Sequence, residues 1–483
     1  MITKKLIVVT VAWGDWHISQ FLNLNLPTLM SPDNFPSLAK VCHIKYIIYT
    51  NKNDFNKLKT SKLIGQLGGI TDLSYVFLDE GDLSDPIRVH HQCWDLATKK
   101  AEESGAYILL MPPDVAWSSN SFSYVAHELE SGRAAIFMTY LRVDEQAFIR
   151  QFISINAAGH EGAVQLSGSQ LVDMALKCLH PLMAAYLRNS SFFPRHPEMI
   201  LWAVPGEGIS CRLLAREMFI FDPSMVSLTA NKLLATLDSV DDLAIVSDSD
   251  QLFGVSLAKL KQEIDWYSLP LGADVYSIGK WWRNYDSRIS DLLVSKKIRW
   301  HVCPPTNQKW IGVETSGDLF LRKAALIREA SYLLSELDGL EFSASSNILK
   351  YAVARGLLSK VIRGRSGGVV FVPTNTAFNK NSLQSFKANL AVQDSCVMTI
   401  IKAHFYGNRD IDQIKMPAKN QDVTELLEEL GIEHISKSRD EIYVGSERGK
   451  IISGPIQVGH QIVFIIDRLL MADQPNLDFL INP

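Results

Sequence analysis

Residues Leu6-Ile7-Val8-Val9-Thr10-Val11-Ala12 form a continuous, largely β-branched run with almost no polar alternation. A strand that faces water on one side alternates apolar with polar residues. A run that is apolar at nearly every position is covered on both faces, as in a parallel sheet lying between two layers of helices. The pattern returns at 46–50, 75–79, 106–111 and 134–138, and helical spacing of apolar residues predicts helices over 21–30, 86–103 and 121–130. Strands and helices in alternation imply an α/β fold, a mostly parallel sheet with helices on both faces. Ligands of such sheets bind at the carboxyl ends of the strands. That singles out Thr10 and Ala12 with Trp13-Gly14-Asp15, Thr50 with Asn51, Asp79, and Asp114.

The chain has 483 residues, enough for two or three domains. Its character changes near residue 330, and the expected division is 1–325 and 326–483. Hydrophobic residues make up 47% and charged residues 21%, a globular composition. Lys and Arg number 48 against 52 Asp and Glu, so the net charge is −4 and no bulk cationic field exists to hold a nucleic acid. Six cysteines stand far apart with no CxxC pair, which predicts free thiols rather than a zinc site or disulfide framework. The apolar N-terminal run ends at Gly14-Asp15 without a small-residue cleavage site, so it reads as a buried strand rather than a signal peptide. With no apolar stretch of membrane-spanning length, the expectation is a soluble, cytoplasmic protein. The segment TVAWGDWHISQF lacks the dinucleotide glycine fingerprint, and no P-loop motif occurs.

Residues 107–122, Tyr-Ile-Leu-Leu-Met-Pro-Pro-Asp114 followed by Val-Ala-Trp-Ser-Ser-Asn-Ser-Phe, resemble the centre of GT-A glycosyltransferases. In that family a buried strand ends in an acidic DxD-type motif, and a short polar turn leads into the next helix. The resemblance implies a GT-A-like (Rossmann-like) fold over the first 325 residues and a nucleotide-sugar donor. It also implies a carbohydrate or glycoconjugate acceptor and a divalent cation, Mg²⁺ or Mn²⁺, held by carboxylates against the departing phosphate. Asp114 stands at the last acidic position as a metal ligand, while proline occupies the first, Pro112. His301 resembles the late histidine that completes the metal shell, and its other reading is a histidine satisfied at a strand edge. Thr10, Ala12 and Thr50 would then hold the nucleotide. Asp85, Arg88 and His91, at the start of the helix before the fourth strand, either touch ribose, phosphate or sugar or form a solvated helix face.

A second acidic pair, Asp248 and Asp250, follows the short apolar run 243–246 with DxD spacing. Two carboxylates there can share a cation or serve as general base. The alternative is capping of a helix over 252–267. The segment 196–208 reads as a glycine-bearing acceptor loop in which Glu207 is a candidate base and Trp202 either stacks on a sugar or packs in the core. Trp281-Trp282-Arg283 likewise either lines a sugar cleft or closes a core.

Near the C-terminus, 367–378 (Gly-Gly-Val-Val-Phe-Val-Pro-Thr374-Asn375-Thr-Ala-Phe378), 401–407 with His404, and 459–471 resemble, in order, three boxes of fasciclin (FAS1) domains. The resemblance implies an α+β module for protein or glycan contacts. His404 reads as a buried structural residue. Such domains are usually exported, and the lack of a leader here departs from that habit. Two functions follow. One is a bacterial-type glycosyltransferase with an accessory FAS1 recognition domain. The other is a non-catalytic binding protein on a degenerate GT-A scaffold.

Overall fold

A computed structural model of the chain describes residues 4–79, 85–155, 162–191, 193–194, 197–214, 218–225, 242–260, 268–269, 273, 275–283 and 287–336. Towards the C-terminus it describes 345, 348–349, 352, 368–373, 402, 404–407, 423–429, 432, 434–438, 441–444, 449–458, 461–466 and 470. The chain divides into two compact units, Met1–Ala273 with Tyr285–Gly317, and Asp274–Asn284 with Asp318–Pro483.

The first unit starts with β1 (Lys4–Val11), α1 (Gly14–Gln20), a π-helical turn (Phe21–Asn25), α2 (Leu26–Leu29) and α3 (Phe35–Leu38). Next come β2 (Cys42–Thr50), α4 (Lys52–Lys59), α5 (Lys62–Ile70), β3 (Asp72–Phe77), α6 (Pro86–Ser104), β4 (Tyr107–Leu110), β5 (Val115–Trp117) and α7 (Ser121–Glu130). They are followed by β6 (Ala135–Phe137), β7 (Leu141–Asp144), α8 (Glu145–Ile155) and α9 (Gly168–Leu176). The remaining strands of this unit are β8 (Phe193–Pro194), β9 (Met199–Val204), β10 (Gly208–Leu213), β11 (Met218–Phe221), β12 (Leu243–Ile245), β13 (Gly254–Ala258), β14 (Ser268–Leu269) and β15 (Ile298–His301).

Seven strands form the main sheet in the order β12-β6-β11-β4-β1-β2-β3. β1 pairs in parallel with β2 and β4, β2 with β3, and β6 with β12, while β11 runs antiparallel between β4 and β6. Two antiparallel steps restore direction, so β1, β4, β6 and β12 all end at the same edge. The order reverses at β1. Successive residues of β1 enter different cores, which explains the missing alternation in the sequence. Ile7, Val9 and Val11 pack with Val89, Cys93, Ala97 and Ala101 of α6. Leu6 and Val8 pack with Phe35, Leu38, Leu63, Ile64 and Phe122 from α3, α5 and α7. Two small three-stranded sheets, β5-β13-β7 and β15-β10-β9, belong to the same unit.

Three local expectations change. The helix expected over 21–30 contains a π-helical turn before α2. Within 252–267, expected as a helix, residues 254–258 are β13, parallel to β7. An apolar run buried on two sides has the same periodicity in either conformation, and here Gly254 packs closely on Tyr140 and Val115. The segment read as an acceptor loop contains β9, which turns through Gly206 (φ +76°) into antiparallel β10.

The second unit contains a six-stranded sheet built from β16 (Gly368–Pro373), β17 (Phe405–Gly407), β18 (Ser436–Ser438), β19 (Glu441–Val444), β20 (Gly449–Val458) and β21 (Gln461–Ile466). Their order is β17-β16-β21-β20-β19-β18. Phe371, Leu427, Val444, Phe464 and Ile466 form its core. His404 is buried, and its Nε2 accepts the Leu470 N–H at 3.1 Å. Thr374, Asn375 and Phe378 lie outside the described residues. In this unit Trp282 is buried with the Arg328 guanidinium 4.5 Å from its ring centroid. Among the described residues no helix is long and apolar enough to cross a membrane.

Candidate functional site

Past β12 the chain leaves the main sheet and is zipped onto β15. Arg299 N–H donates to Ser247 O at 2.9 Å, and Ser249 N–H donates to Arg299 O at 3.0 Å. Ser249 is fully buried, and its hydroxyl accepts the His301 N–H at 3.2 Å. With Ser249 turned inward, Asp248 and Asp250 on either side of it meet the His301 ring. His301 Nε2 lies 2.9 Å from Asp248 Oδ1 and 3.9 Å from Asp250 Oδ2. Asp250 N–H donates to Asp248 Oδ1 at 2.9 Å. One ligand atom from each of these three side chains lies within 4.8 Å of the others, the one such group of three or more among the described residues. Two carboxylates and an imidazole are a donor set that suits a divalent cation such as Mn²⁺.

Two glycines lie close against the site. A Cβ on Gly168, at the start of α9, would lie 2.1 Å from Ser249 O and 3.2 Å from Asp250 Oδ1. A Cβ on Gly208, paired with His301 in register, would lie 2.0 Å from Trp300 O. Buried Trp310 meets the His301 ring edge-on at 6.5 Å. Behind the site, Arg299 makes a two-pronged bond to Glu314, at 2.7 and 3.0 Å, and Lys297 adds a third contact at 3.3 Å.

The Asp248 hydrogen bond, with the charges of Asp248 and Asp250, raises the His301 pKa against the opposing effect of burial. Burial works to raise the Asp248 pKa, but the bonds from His301 and the Asp250 N–H, together with Arg299, hold it below its ordinary value. The two side chains therefore form an ion pair whenever His301 carries its proton.

Asp114, expected beside His301, is not a member of this group. It lies in the turn after β4, where its Oδ2 accepts the Ser256 hydroxyl at 3.1 Å. Burial pushes its pKa up, while the Ser256 bond and the charges of His17 and Arg142 pull the other way. Glu207 is engaged elsewhere. Lys309 is paired to it at 2.9 Å and Asn307 Nδ2 donates to it at 2.6 Å, and these bonds lower its pKa. Trp202 is buried at 8% exposure.

Thr10, Ala12 and Thr50, expected to hold the nucleotide, are wholly buried and expose no surface of their own at the carboxyl edge of the sheet. The Thr10 hydroxyl lies 2.7 Å from that of Tyr46. Asp85 caps α6 by accepting the Arg88 N–H at 3.1 Å, and the Arg88 guanidinium lies 3.9 Å from its carboxylate. His91 is exposed and stacks on Trp94, ring centroids 5.8 Å apart.

Trp13 and Trp16, after β1, and His90 and Trp94, on α6, belong to an aromatic cluster that sequence reasoning did not assemble. His90 meets Trp13 at 5.3 Å and Trp94 at 5.7 Å, and His17 meets Trp16 at 4.7 Å. Lys259 Nζ lies 5.3 Å from the Trp16 ring centroid, and the Trp16 indole N–H donates to Glu145 at 2.7 Å. Burial, with His17 and His91 nearby, pulls His90 down to about 4. Asp54, buried, holds the turn that presents Trp13, accepting from Gly14 N–H at 2.7 Å, Asn51 Nδ2 at 2.8 Å and Lys57 Nζ at 3.1 Å. The available signal was the density of Trp and His directly after the first strand.

The combination defines an α/β protein with a carboxylate–histidine site and an aromatic cluster at the carboxyl edge of one parallel-rich sheet. Residues 343–472 match the fasciclin domain family, so the chain also carries a fasciclin domain there. No curated protein matches the chain. Among solved structures, a Bacillus anthracis structure named as a glucose-1-phosphate thymidylyltransferase, in complex with a sucrose, is 16% identical over 30% of this chain and 57% of its own, with a TM-score of 0.17. S. aureus TarS is 8% identical over 91% of this chain and 58% of its own, with a TM-score of 0.24. The matches thus span a little over half the length of those chains.

Proposed function

We propose that the first unit is a glycosyltransferase that moves a sugar from a nucleotide-sugar donor to a glycan, lipid-linked or protein acceptor, in the manner of a bacterial-type cytoplasmic GT-A enzyme. The fasciclin domain serves it as an accessory recognition module for protein or glycan. The observation that carries this reading is the convergence of Asp248, Asp250 and His301 beyond a strand that ends at the same edge as β1 and β4.

Asp248, Asp250 and His301 are the residues that would hold a divalent cation, Mn²⁺ or Mg²⁺. Bound there, the ion supplies a Lewis acid that offsets the charge of the departing diphosphate. Trp13, His90, His91 and Trp94 offer ring faces for the donor base, with Thr10, Ala12 and Thr50 buried at the strand ends behind the loops that carry the first of them. Arg88 and Asp85 flank that surface. Asp114, with its charge disfavoured by burial and one oxygen on Ser256, exchanges hydrogen bonds with donor hydroxyls. Asp250, whose side chain is 65% exposed, would accept the proton of an acceptor hydroxyl through the carboxylate oxygen that does not hold the cation. Glu207, tied to Lys309 and Asn307, anchors the β9–β10 turn beside the site.

A second reading, a binding scaffold without turnover, is favoured by Pro112 at the first acidic position and by an Asp248–His301 pair that satisfies itself. Calorimetric titration with UDP and GDP, with and without Mn²⁺, together with nucleotide-sugar hydrolysis, separates the two. The enzyme reading expects cation-dependent binding that Asp248→Ala and Asp250→Asn each weaken by about tenfold or more. Binding indifferent to the cation and to both substitutions leaves the scaffold.

A further inference from the structure

A π-helical turn carries one extra residue in a helix, and such turns are frequent at functional sites. Here the turn ends at Asn25 and rotates it by roughly 100° relative to α1. Asn25 is fully buried. Its Nδ2 donates to Pro112 O at 3.0 Å and to Val115 O at 2.9 Å, two carbonyls that bracket Asp114. Pro112 and Pro113 have no N–H of their own, so the first half of this turn offers carbonyls but no backbone donors to tie it down. The Asn25 amide supplies the missing donors from another element.

The clamp continues along the same segment at points that do not touch the turn. Thr28 Oγ1 accepts the Trp117 N–H at 3.1 Å. Asn34 Nδ2 donates to Ser118 O at 3.0 Å, while its Oδ1 accepts the Phe122 N–H at 3.2 Å. Thr28 and Asn34 thus fasten the strand and helix that follow, while the turn itself is held by Asn25 on its two outer carbonyls and by the Leu257 N–H on Asp114 O at 3.1 Å.

We propose that Asn25 is a positioning residue for Asp114: its amide fixes the 112–115 turn so that the Asp114 carboxyl stands beside Ser256 and faces the donor. The inference rests on the reading above in which Asp114 contacts the donor. A carboxyl set by two side-chain bonds on its flanking carbonyls has little freedom to adjust, and misplacement of about an ångström costs a site up to two orders of magnitude.

A double-substitution cycle tests it, with UDP plus Mn²⁺ as the probe in calorimetry. Asn25→Leu keeps the volume and removes the donors, and Asn25→Ser is the second variant should leucine prevent folding. The expected result is a loss of about tenfold or more in UDP affinity in the otherwise native chain, shrinking to less than about twofold in the Asp114→Ala background. Thr28→Val, cutting the clamp further along, should show no such dependence on Asp114. Equal weakening in both backgrounds, or unchanged affinity in a folded Asn25 variant, overturns the proposal. Should the native chain bind no UDP at all, the transferase reading fails by itself, and a crystal structure of the variant then decides the positioning claim. A 112–115 turn displaced by about an ångström or more supports it, and an unmoved turn overturns it.

Discussion

His301 Nε2 and Asp248 Oδ1 stand 2.9 Å apart, joined across two backbone segments that are themselves hydrogen-bonded to each other. The pair is preassembled by strand pairing before any cation arrives. Removing the imidazole takes away one donor and leaves the Asp248 carboxylate without its nearest cationic partner. His301→Ala should weaken Mn²⁺ binding by about ten- to a hundredfold and cost about 1–3 kcal/mol of stability. Calorimetry with Mn²⁺ alone and urea denaturation read the two effects separately. Native Mn²⁺ affinity in the variant would remove His301 from the site.

Gly168 and Gly208 are required for contact rather than for turn geometry at the first and for both at the second, where φ is +152°. Gly168→Ala would force the backbone of Ser249 aside, since a Cβ would approach its carbonyl oxygen to 2.1 Å. The expected cost is about 1–3 kcal/mol, with a matching loss of cation affinity because Asp250 rides on the same loop. Gly65→Ala, on α5 with nothing within 4 Å of the added atom, is the control. It should be neutral or stabilising by up to about 1 kcal/mol. Denaturation midpoints that rank the two alike would refute the packing argument.

The sheet was readable because burial on both faces writes itself into the sequence as uninterrupted apolar strands, as in 6–12. The carboxylate–histidine site was readable only in pieces. Asp248 and Asp250 announced themselves by spacing, and His301 by resemblance, but pairing His301 with them instead of Asp114 needed the long-range match of β15 with the 247–250 segment. Local sequence carries no record of that contact. The same holds for β13, whose two-sided burial mimics a helix, and for the His90–Trp13 contact, made between residues 77 positions apart in the chain.

Asp54 ties three donors to one buried carboxylate and thereby sets the entry into α1. Asp54→Ala leaves the Gly14 N–H and the Asn51 amide without this acceptor, a loss of about 1–3 kcal/mol. Trp13 sits one residue before Gly14, so near-ultraviolet circular dichroism should change along with the urea midpoint. Asp54→Asn keeps one oxygen acceptor and should recover part of both. A variant as stable as the native chain, with unaltered tryptophan signals, would deny the latch.

His90 gives the first unit an acid-sensitive element away from the carboxylates. Its folded pKa is depressed to about 4 by burial and by the charges of nearby His17 and His91, whereas an unfolded histidine titrates near 6.5. Above that value both states are neutral and His90 contributes nothing to the pH dependence. As pH falls, the unfolded chain gains a proton that the folded chain refuses, so stability declines between about 6.5 and 4 and levels off below. The contribution is at most about 3–4 kcal/mol, from 1.36 kcal/mol for each pKa unit. Urea midpoints followed by tryptophan fluorescence from pH 7.5 to pH 4 should therefore fall more steeply for the native chain than for His90→Gln, which cannot titrate. His17→Gln relieves one repulsion, so it should raise the folded His90 pKa slightly, making the decline smaller and ending it at a higher pH. Superimposable profiles for the native and His90→Gln chains would show that the ring titrates alike in both states, and that the Trp13–His90–Trp94 contact is too open to exclude a proton.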